Sequence, residues 1–309
     1  VRVVILRALK LGDFLTAVPA YRAIRRAFPR ARLILAAPND FTPLLELMDG
    51  AVDEIADVRE LGPLPAQTRD AGLAVNLHGA GPESHRTLLN AGARRLMAFR
   101  HHAVAESAGG PAYDPHEHEV ARWCRLLESA DIPADPRELD LRIPPENVPP
   151  SVRGATLFHP GAASESRRWP AERWIALARS EVALGRRVVI TGGPSEVERA
   201  RFIASASGIP PSFVFAGRTN VRELAALVAA SGRIVCGDTG VAHLATALRR
   251  PSVLLFGPTP PALWGPPARP YHRVIWAGSQ GDPHAESVDA GLLAIGVEQV
   301  VAELAASSG

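Results

Sequence analysis

The segment IVCGDTGVAHLATALRRPSVLLFGPTPPALWGP, from Ile234 to Pro266, has the residue types and spacing best suited to holding an anion. An apolar strand delivers Gly237, Asp238, Thr239 and Gly240 to its carboxyl end and a helix begins at once, so several amides without helical partners converge there. Strand-to-helix turns of this kind are where open α/β sheets bind ligands. The unpaired N–H groups and positive helix end suit a phosphate or diphosphate, glycine admits it close to the backbone, and Thr239 adds a hydroxyl. His243, one helical turn further on, can point at the same anion. A helix cap and a core histidine would use the same residues.

Two more loops in this half carry polar groups. HPGAASESRRWPAERW (His159 to Trp174) leaves one strand and enters a helix near Pro170, with Arg167 and Arg168 at the mouth, where paired guanidiniums can grip a diphosphate. AGRTNVRELAALV carries Thr219 and Asn220, with Glu223 three residues after Asn220 in a capping-box pattern. A ribose or base can rest beside this pair, although capping alone explains Asn220.

In the first half, Gly12 and Asp13 follow the first strand directly, placing a carboxylate at the sheet's carboxyl edge. Partly desolvated there, it has the chemistry of a general base; a helix N-cap is the alternative. Lys10, the sole lysine, can lower that carboxylate's proton affinity or touch a ligand, and Asn76 and His78 join Lys10 and Gly12 as acceptor-side candidates. The histidines at 78, 85, 101, 102, 116 and 118 invite a metal reading, which we reject: His116 and His118 alternate and no carboxylate-backed i, i+4 pair occurs.

The elements that position these groups follow a βαβ rhythm, which predicts parallel sheets covered on both faces. Strands are expected at Val3–Leu6, Arg32–Ala37, Ala51–Val58 and Leu73–Leu77, with helices at Phe14–Phe28, Phe41–Met48 and Glu117–Ala130. Six prolines between Ile132 and Gly154 mark a linker. The rhythm then restarts, with strands at Ala155–His159, Arg187–Thr191, Phe213–Ala216, Arg233–Cys236 and Ser252–Phe256. Helices are expected at Ala171–Leu184, Glu196–Ser205, Val221–Ala230, Val241–Leu248 and Val297–Ala306. Two Rossmann-like domains, 1–150 and 151–309, result, which suits 309 residues at about 150 per domain. The last helix is a candidate to pack back on the first domain.

Composition narrows the class. The chain is 47% hydrophobic and 21% charged, enough to build a core, and its net charge of +2 does not make it a polycation for nucleic acid. The first 150 residues hold 18 basic and 20 acidic groups, or −2, leaving 16 and 12, or +4, for the second half. Anion binding is therefore expected in the second half. Cys124 and Cys236 sit in apolar patterns and argue against disulfides or a cysteine-based zinc site. The opening VRVVILRALKLGDFLTAVP is broken by Arg7 and Lys10 and reads as a strand, not a signal peptide. A cytoplasmic protein is expected, with at most peripheral membrane contact.

Taken together, LGDFLTAVPAYRAIRRAFP, FHPGAASESRRWPAERW, VVITGGPSEVERA, AGRTNVRELAALV and GDTGVAHLATALRRPSVLLFGPTPPALWGP resemble, in order, the motifs of glycosyltransferase family nine, the heptosyltransferase-like enzymes. The resemblance implies a GT-B fold, two facing Rossmann-like domains with the acceptor held mainly by the first and the nucleotide sugar by the second. It implies inverting, metal-independent transfer from a nucleoside diphosphate sugar, most often ADP-heptose, which is a substrate and not a cofactor. It also implies Asp13 as base, Arg167 on the departing diphosphate, Asp238, Thr239, Gly240 and His243 on the diphosphate and donor sugar, and Thr219 near the nucleoside. Arginine stands at 167 where lysine is frequent, and Asn76 where aspartate is frequent. The implied acceptor is a lipopolysaccharide core, with a small glycoconjugate or natural product as the alternative. A nucleotide-sugar epimerase or hydrolase of the same architecture and a non-catalytic nucleotide-sugar-binding protein stay open; a nicotinamide dehydrogenase does not, because no G-x-G-x-x-G follows the first strand.

Overall fold

A computed structural model describes residues 1–306. The chain divides into a unit spanning Val1–Arg142 and a second unit that begins at Ile143. That division falls inside the proline-rich stretch, earlier than the expected 150/151.

The first unit runs β1 (Arg2–Leu6), α1 (Leu11–Thr16), α2 (Val18–Ala27), β2 (Arg32–Ala37), β3 (Glu54–Asp57), β4 (Leu73–Asn76), α3 (Glu83–Asn90), β5 (Leu96–Met97) and α4 (Glu119–Glu128). Its strands form one parallel sheet in the order β3-β2-β1-β4-β5. Four of the five β1 residues are buried, as the apolar run Val3–Leu6 requires of a strand covered on both faces. The expected helix over 14–28 is two helices, because Pro19 has no N–H to return to the preceding turn and is accommodated only in the first turn of α2. The expected helix over 41–48 is a 3₁₀ helix over Asn39–Met48 with Pro43 inside it. Sequence reading left α3 and β5 as loop.

The second unit runs β6 (Thr156–His159), α5 (Ala171–Ala183), β7 (Val188–Ile190), α6 (Val197–Ala206), α7 (Val221–Ala230), β8 (Arg233–Gly237), α8 (Gly240–Ala247), β9 (Ser252–Phe256), α9 (Pro261–Trp264), β10 (His272–Trp276), α10 (Ala290–Ala294) and α11 (Val297–Ala306). Its parallel sheet has the order β10-β9-β8-β6-β7, and a parallel bridge from Ile190 to Val214 continues it beyond β7. Phe158, Trp169, Trp174, Val235, Val253 and Leu255 belong to its core. The last helix packs against α5 and β9, with Val300 and Leu304 in this same core, so its place is in the second unit. Its apolar stripe is covered by α5 and β9.

Both sheets run outward in one direction from their first strand and then restart on its other side. The reversal lies between β1 and β4 in the first unit and between β6 and β8 in the second. At such a point the loops leaving adjacent strands diverge to opposite faces and open a crevice at the carboxyl ends. Among the described residues no helix is long and apolar enough to cross a membrane. Cys124 and Cys236 are free and buried, and burial pushes the Cys124 thiol up to about 12.

Candidate functional site

In the first unit, β1 ends at Leu6 and the next residue, Arg7, is fully buried. Its guanidinium and side-chain N–H groups donate to the Asp13 carbonyl (2.9 Å), Thr16 Oγ1 (3.2 Å), Glu119 Oε1 (2.8 Å) and the Leu77 carbonyl. The ring of Trp123 lies 4.7 Å from the guanidinium carbon. Arg7 thus ties the loop after β1 to the end of β4 and to α4. Removing one partner of a buried ion pair costs about 3–5 kcal/mol, so this fork is held firmly.

Asp13 occupies the first turn of α1, where its Oδ2 accepts the Lys10 backbone N–H at 3.3 Å and its Oδ1 lies 3.6 Å from Arg7 Nη2. The side chain keeps 24% exposure, so a substrate hydroxyl can reach it. Burial lifts its carboxyl above the ordinary carboxylate range; Arg7 pulls against that, Glu119 reinforces it, and the Lys10 N–H lowers it. A carboxylate held in this state is primed to take a proton. The N-cap position expected for Asp13 belongs to Lys10, and the cation at the carboxylate is Arg7 and not the Lys10 ammonium. Lys10 is exposed and acts on Asp13 through its backbone N–H. Gly12 precedes Asp13 in the same turn.

Asn76 closes β4, fully buried; its Oδ1 accepts the His78 N–H (2.9 Å) and its Nδ2 donates to Ser84 Oγ (2.9 Å). Asn76 therefore shapes the loop from inside. Burial, with Arg7 adding, pushes His78 down to about 4, so its ring is neutral at pH 7. His85 is fully buried and also pushed down to about 4 by burial. Its ring lies against Gly81, whose φ of +83° already favours glycine and whose missing Cβ makes the room. His118 caps α4 by accepting the Val120 N–H at 3.2 Å. Among the described residues no three His, Cys, Asp or Glu side chains gather as a metal cage.

In the second unit the loop after β8 and the loop after β6 lie on either side of the reversal. Thr239 is the N-cap of α8, in extended conformation, and its side chain makes no capping bond. Its Oγ1 is buried beside the Cys236 sulfur and otherwise lacks a partner. Arg167 Nη1 donates to the Asp238 carbonyl at 3.4 Å and lies 3.8 Å from Asp238 Oδ2, while Arg167 Nε is buried without a partner. The structure therefore brings Arg167, Asp238, Thr239 and Gly240 together at the amino end of α8, with donors that no protein group satisfies. Unsatisfied buried donors are rare in folded proteins and are expected where a ligand supplies the acceptor. His243 lies in α8, one turn in, with its ring 6.0 Å from that of Trp264.

The loop carrying Arg167 is anchored from below. Trp169 is buried against Trp174, ring centroids 5.4 Å apart, and donates through Nε1 to the Ile295 carbonyl at 3.1 Å. Arg173 Nη1 donates to that same carbonyl at 2.6 Å. Arg168, in contrast, is held within its own loop by the Ala162 carbonyl (3.0 Å) and Glu165 (2.8 Å). Asn220 caps α7: its Oδ1 accepts from the Arg222 and Glu223 N–H groups, and Glu223 returns the bond to the Asn220 N–H at 2.8 Å. Of the pair Thr219 and Asn220, then, Asn220 has its carboxamide oxygen occupied by the cap, and Thr219 is half-buried beside it.

Sequence reasoning missed Arg7 and Glu119 in the first unit, and His159 and Glu196 in the second. His159 pairs its Nδ1 with Thr191 Oγ1 at 3.0 Å, and burial pulls its ring below the usual histidine range against Glu196. Glu196 accepts the Gly193 N–H at 2.6 Å, and its carboxylate fills the space a Cβ on Gly161 would need. Gly161 is thus required for packing, a signal visible in the sequence only as a glycine after His159-Pro160.

The profile of glycosyltransferase family 9 (heptosyltransferase) matches residues 90–290, more than half of the chain, and the chain belongs to that family. It is similar to lipopolysaccharide heptosyltransferase 2 of Escherichia coli K12, 34% identical over 122 residues, 38% of this chain and 35% of that protein. The alignment thus spans about a third of the relative's length. Among solved structures, the E. coli ADP-heptose lps heptosyltransferase II has a TM-score of 0.80 at 23% identity, covering 100% of this chain and 98% of that one. The family 9 glycosyl transferase of Veillonella parvula has a TM-score of 0.82 at 20% identity, covering 99% and 97%. These likenesses establish a GT-B fold for the chain.

Proposed function

We propose that the chain is a heptosyltransferase that moves a heptosyl group from ADP-heptose to a hydroxyl of a lipopolysaccharide core. The observation that carries the reading is the turn at the amino end of α8, where the Thr239 hydroxyl and Arg167 Nε are buried without oxygen or nitrogen partners beside an unpaired helix end. A diphosphate supplies the acceptors those donors lack. Family membership supports the choice of sugar, and the likeness to lipopolysaccharide heptosyltransferase 2 and ADP-heptose lps heptosyltransferase II supports ADP and lipopolysaccharide.

The step is a single displacement. An acceptor oxygen attacks the anomeric carbon while its proton passes to an Asp13 carboxylate oxygen. The bond from that carbon to the diphosphate oxygen breaks, its electron pair leaves on the phosphate, and the configuration inverts. Arg167 and the Gly240 amide take up the charge that develops on the leaving group, a role worth about 10²–10³ in rate for one such donor. General-base assistance of the kind assigned to Asp13 is worth about 10²–10⁴. On this reading no metal is needed and the enzyme works in the cytoplasm on a membrane-surface or soluble acceptor. The acceptor side is drawn from Asp13, Gly12 and His78, with Asn76 shaping the loop that carries His78.

Asp13→Asn tests the assignment of roles. Turnover of ADP-heptose should fall by at least about 10², calorimetric affinity for ADP should stay within a factor of two or so, and the melting temperature should not drop, because the charge removed is one that burial disfavours. Lost ADP affinity with normal turnover would reverse the roles. Release of free heptose from ADP-heptose without acceptor would favour the hydrolase reading.

A further inference from the structure

Helix α4 opens with Glu119, and Arg122 and Trp123 follow at helical spacing on the same face. Glu119 is only 4% exposed and accepts on both oxygens: Oε1 from Arg7 Nη2 and Trp123 Nε1, each at 2.8 Å, and Oε2 from Arg122 Nη1. Arg7 lies closer to Glu119 than to the Asp13 carboxylate, 2.8 Å against 3.6 Å. The guanidinium that grips the Asp13 turn thus makes its closer ion pair with a second carboxylate. A lone cation at that distance from Asp13 would instead stabilise its ionised form and make it a poor proton acceptor.

We propose that Glu119 is a positioning residue for Asp13: it holds the Arg7 fork that fixes the Asp13 turn and takes up the fork's charge, so that Asp13 is aimed without being silenced as a base. The proposal rests on the reading of Asp13 as the base. The groups that act on Asp13 come from every neighbouring element: Arg7 after β1, the Lys10 N–H at the start of α1, and Glu119 on α4. Tyr21 on α2 faces both Asp13 and Arg7, its hydroxyl buried and held protonated by burial, and His78 after β4 faces Arg7 as a neutral ring. Arg122 and Tyr113 face Glu119 from its far side. Glu119 is the carboxylate in this set, and it raises the proton affinity that Arg7 lowers.

The test compares Glu119→Gln with the neutral double variant Arg7→Met/Glu119→Gln in the full chain. Two readouts are taken: the ¹³C titration of the Asp13 carboxyl without substrate, and the pH profile of kcat/KM with ADP-heptose and a lipopolysaccharide-core acceptor. Glu119→Gln leaves the Arg7 charge unopposed, so both the carboxyl titration and the acid limb should move down by about one pH unit, with ADP affinity unchanged. The double variant removes both charges and leaves burial opposed only by backbone N–H groups, so both should move up. Opposite movements are not expected of two residues that merely hold the fold together. Should Glu119→Gln not fold, Arg7→Met is compared with the double variant: a Glu119 charge that acts on Asp13 makes the single variant move up further than the double one, and equal movement overturns the proposal. A carboxyl titration that stays in place in a folded variant overturns the proposal. A titration that moves while the acid limb stays put overturns the reading of Asp13 as base.

Discussion

At the carboxyl end of β1, Arg7, Asp13, Thr16 and Glu119 satisfy one another's hydrogen bonds. Where the loops after β8 and β6 meet, the buried Thr239 hydroxyl and Arg167 Nε have no oxygen or nitrogen partner. The two sheets share one topology, so the contrast comes from the loops and not from the scaffold. The first arrangement prepares a single group, since a closed network fixes the orientation and proton affinity of Asp13 before any ligand arrives. At the second, the proposed diphosphate would bring the acceptors that these donors lack.

Substitutions can break this contrast. Arg167→Ala should have the largest effect, lowering turnover by about 10² and weakening ADP, because it removes the guanidinium beside Asp238. Calorimetry that found unchanged ADP affinity would place the anion elsewhere. Thr239→Val keeps the shape and deletes the hydroxyl. It should weaken ADP by about 2- to 12-fold, the equivalent of one hydrogen bond, while the ligand-free melting temperature holds or rises. A variant that melts lower without ligand and binds ADP normally would show that the hydroxyl serves the fold.

The smallest effect at neutral pH grows only in acid. His78 and His85 of the first unit are pushed down to about 4 by burial, against 6.5 for an ordinary histidine. The unfolded chain therefore binds protons that the folded unit refuses, so stability is full above about pH 6.5 and is lost as pH falls through about 4. Thermal melts between pH 7.5 and 4.5 should show this slope, and His78→Gln should flatten it by up to about one proton's worth. An unchanged slope in that variant would mean that His78 is protonated in the native fold.

Much of the second site could be read from the chain because each loop directly follows an apolar run. Asp238, Thr239 and Gly240 come straight after the buried strand β8, and the Asn220 and Glu223 capping box formed as the spacing required. Asp13 was legible for the same reason. Arg7 and Glu119 were not: they are 112 positions apart, and each looks local, one a break in an apolar strand and the other the first turn of an amphipathic helix. Adjacency offers Lys10 either to the Asp13 carboxylate or to a ligand, but at the carboxylate the chain turns and presents its amide instead of its ammonium. The two-residue strand β5 is too short to show a period, and the eight-residue α3 is preceded by a glycine-rich run that reads as a turn.

The bond that two side chains make to one carbonyl has a consequence for how the second unit is assembled. Trp169 and Arg173 both terminate on Ile295, just before α11, so the stretch that bears Arg167 is latched by a segment 122 to 126 positions later. During synthesis that stretch emerges long before its latch. The loop that we propose grips the diphosphate can reach its finished shape only when that later segment has docked.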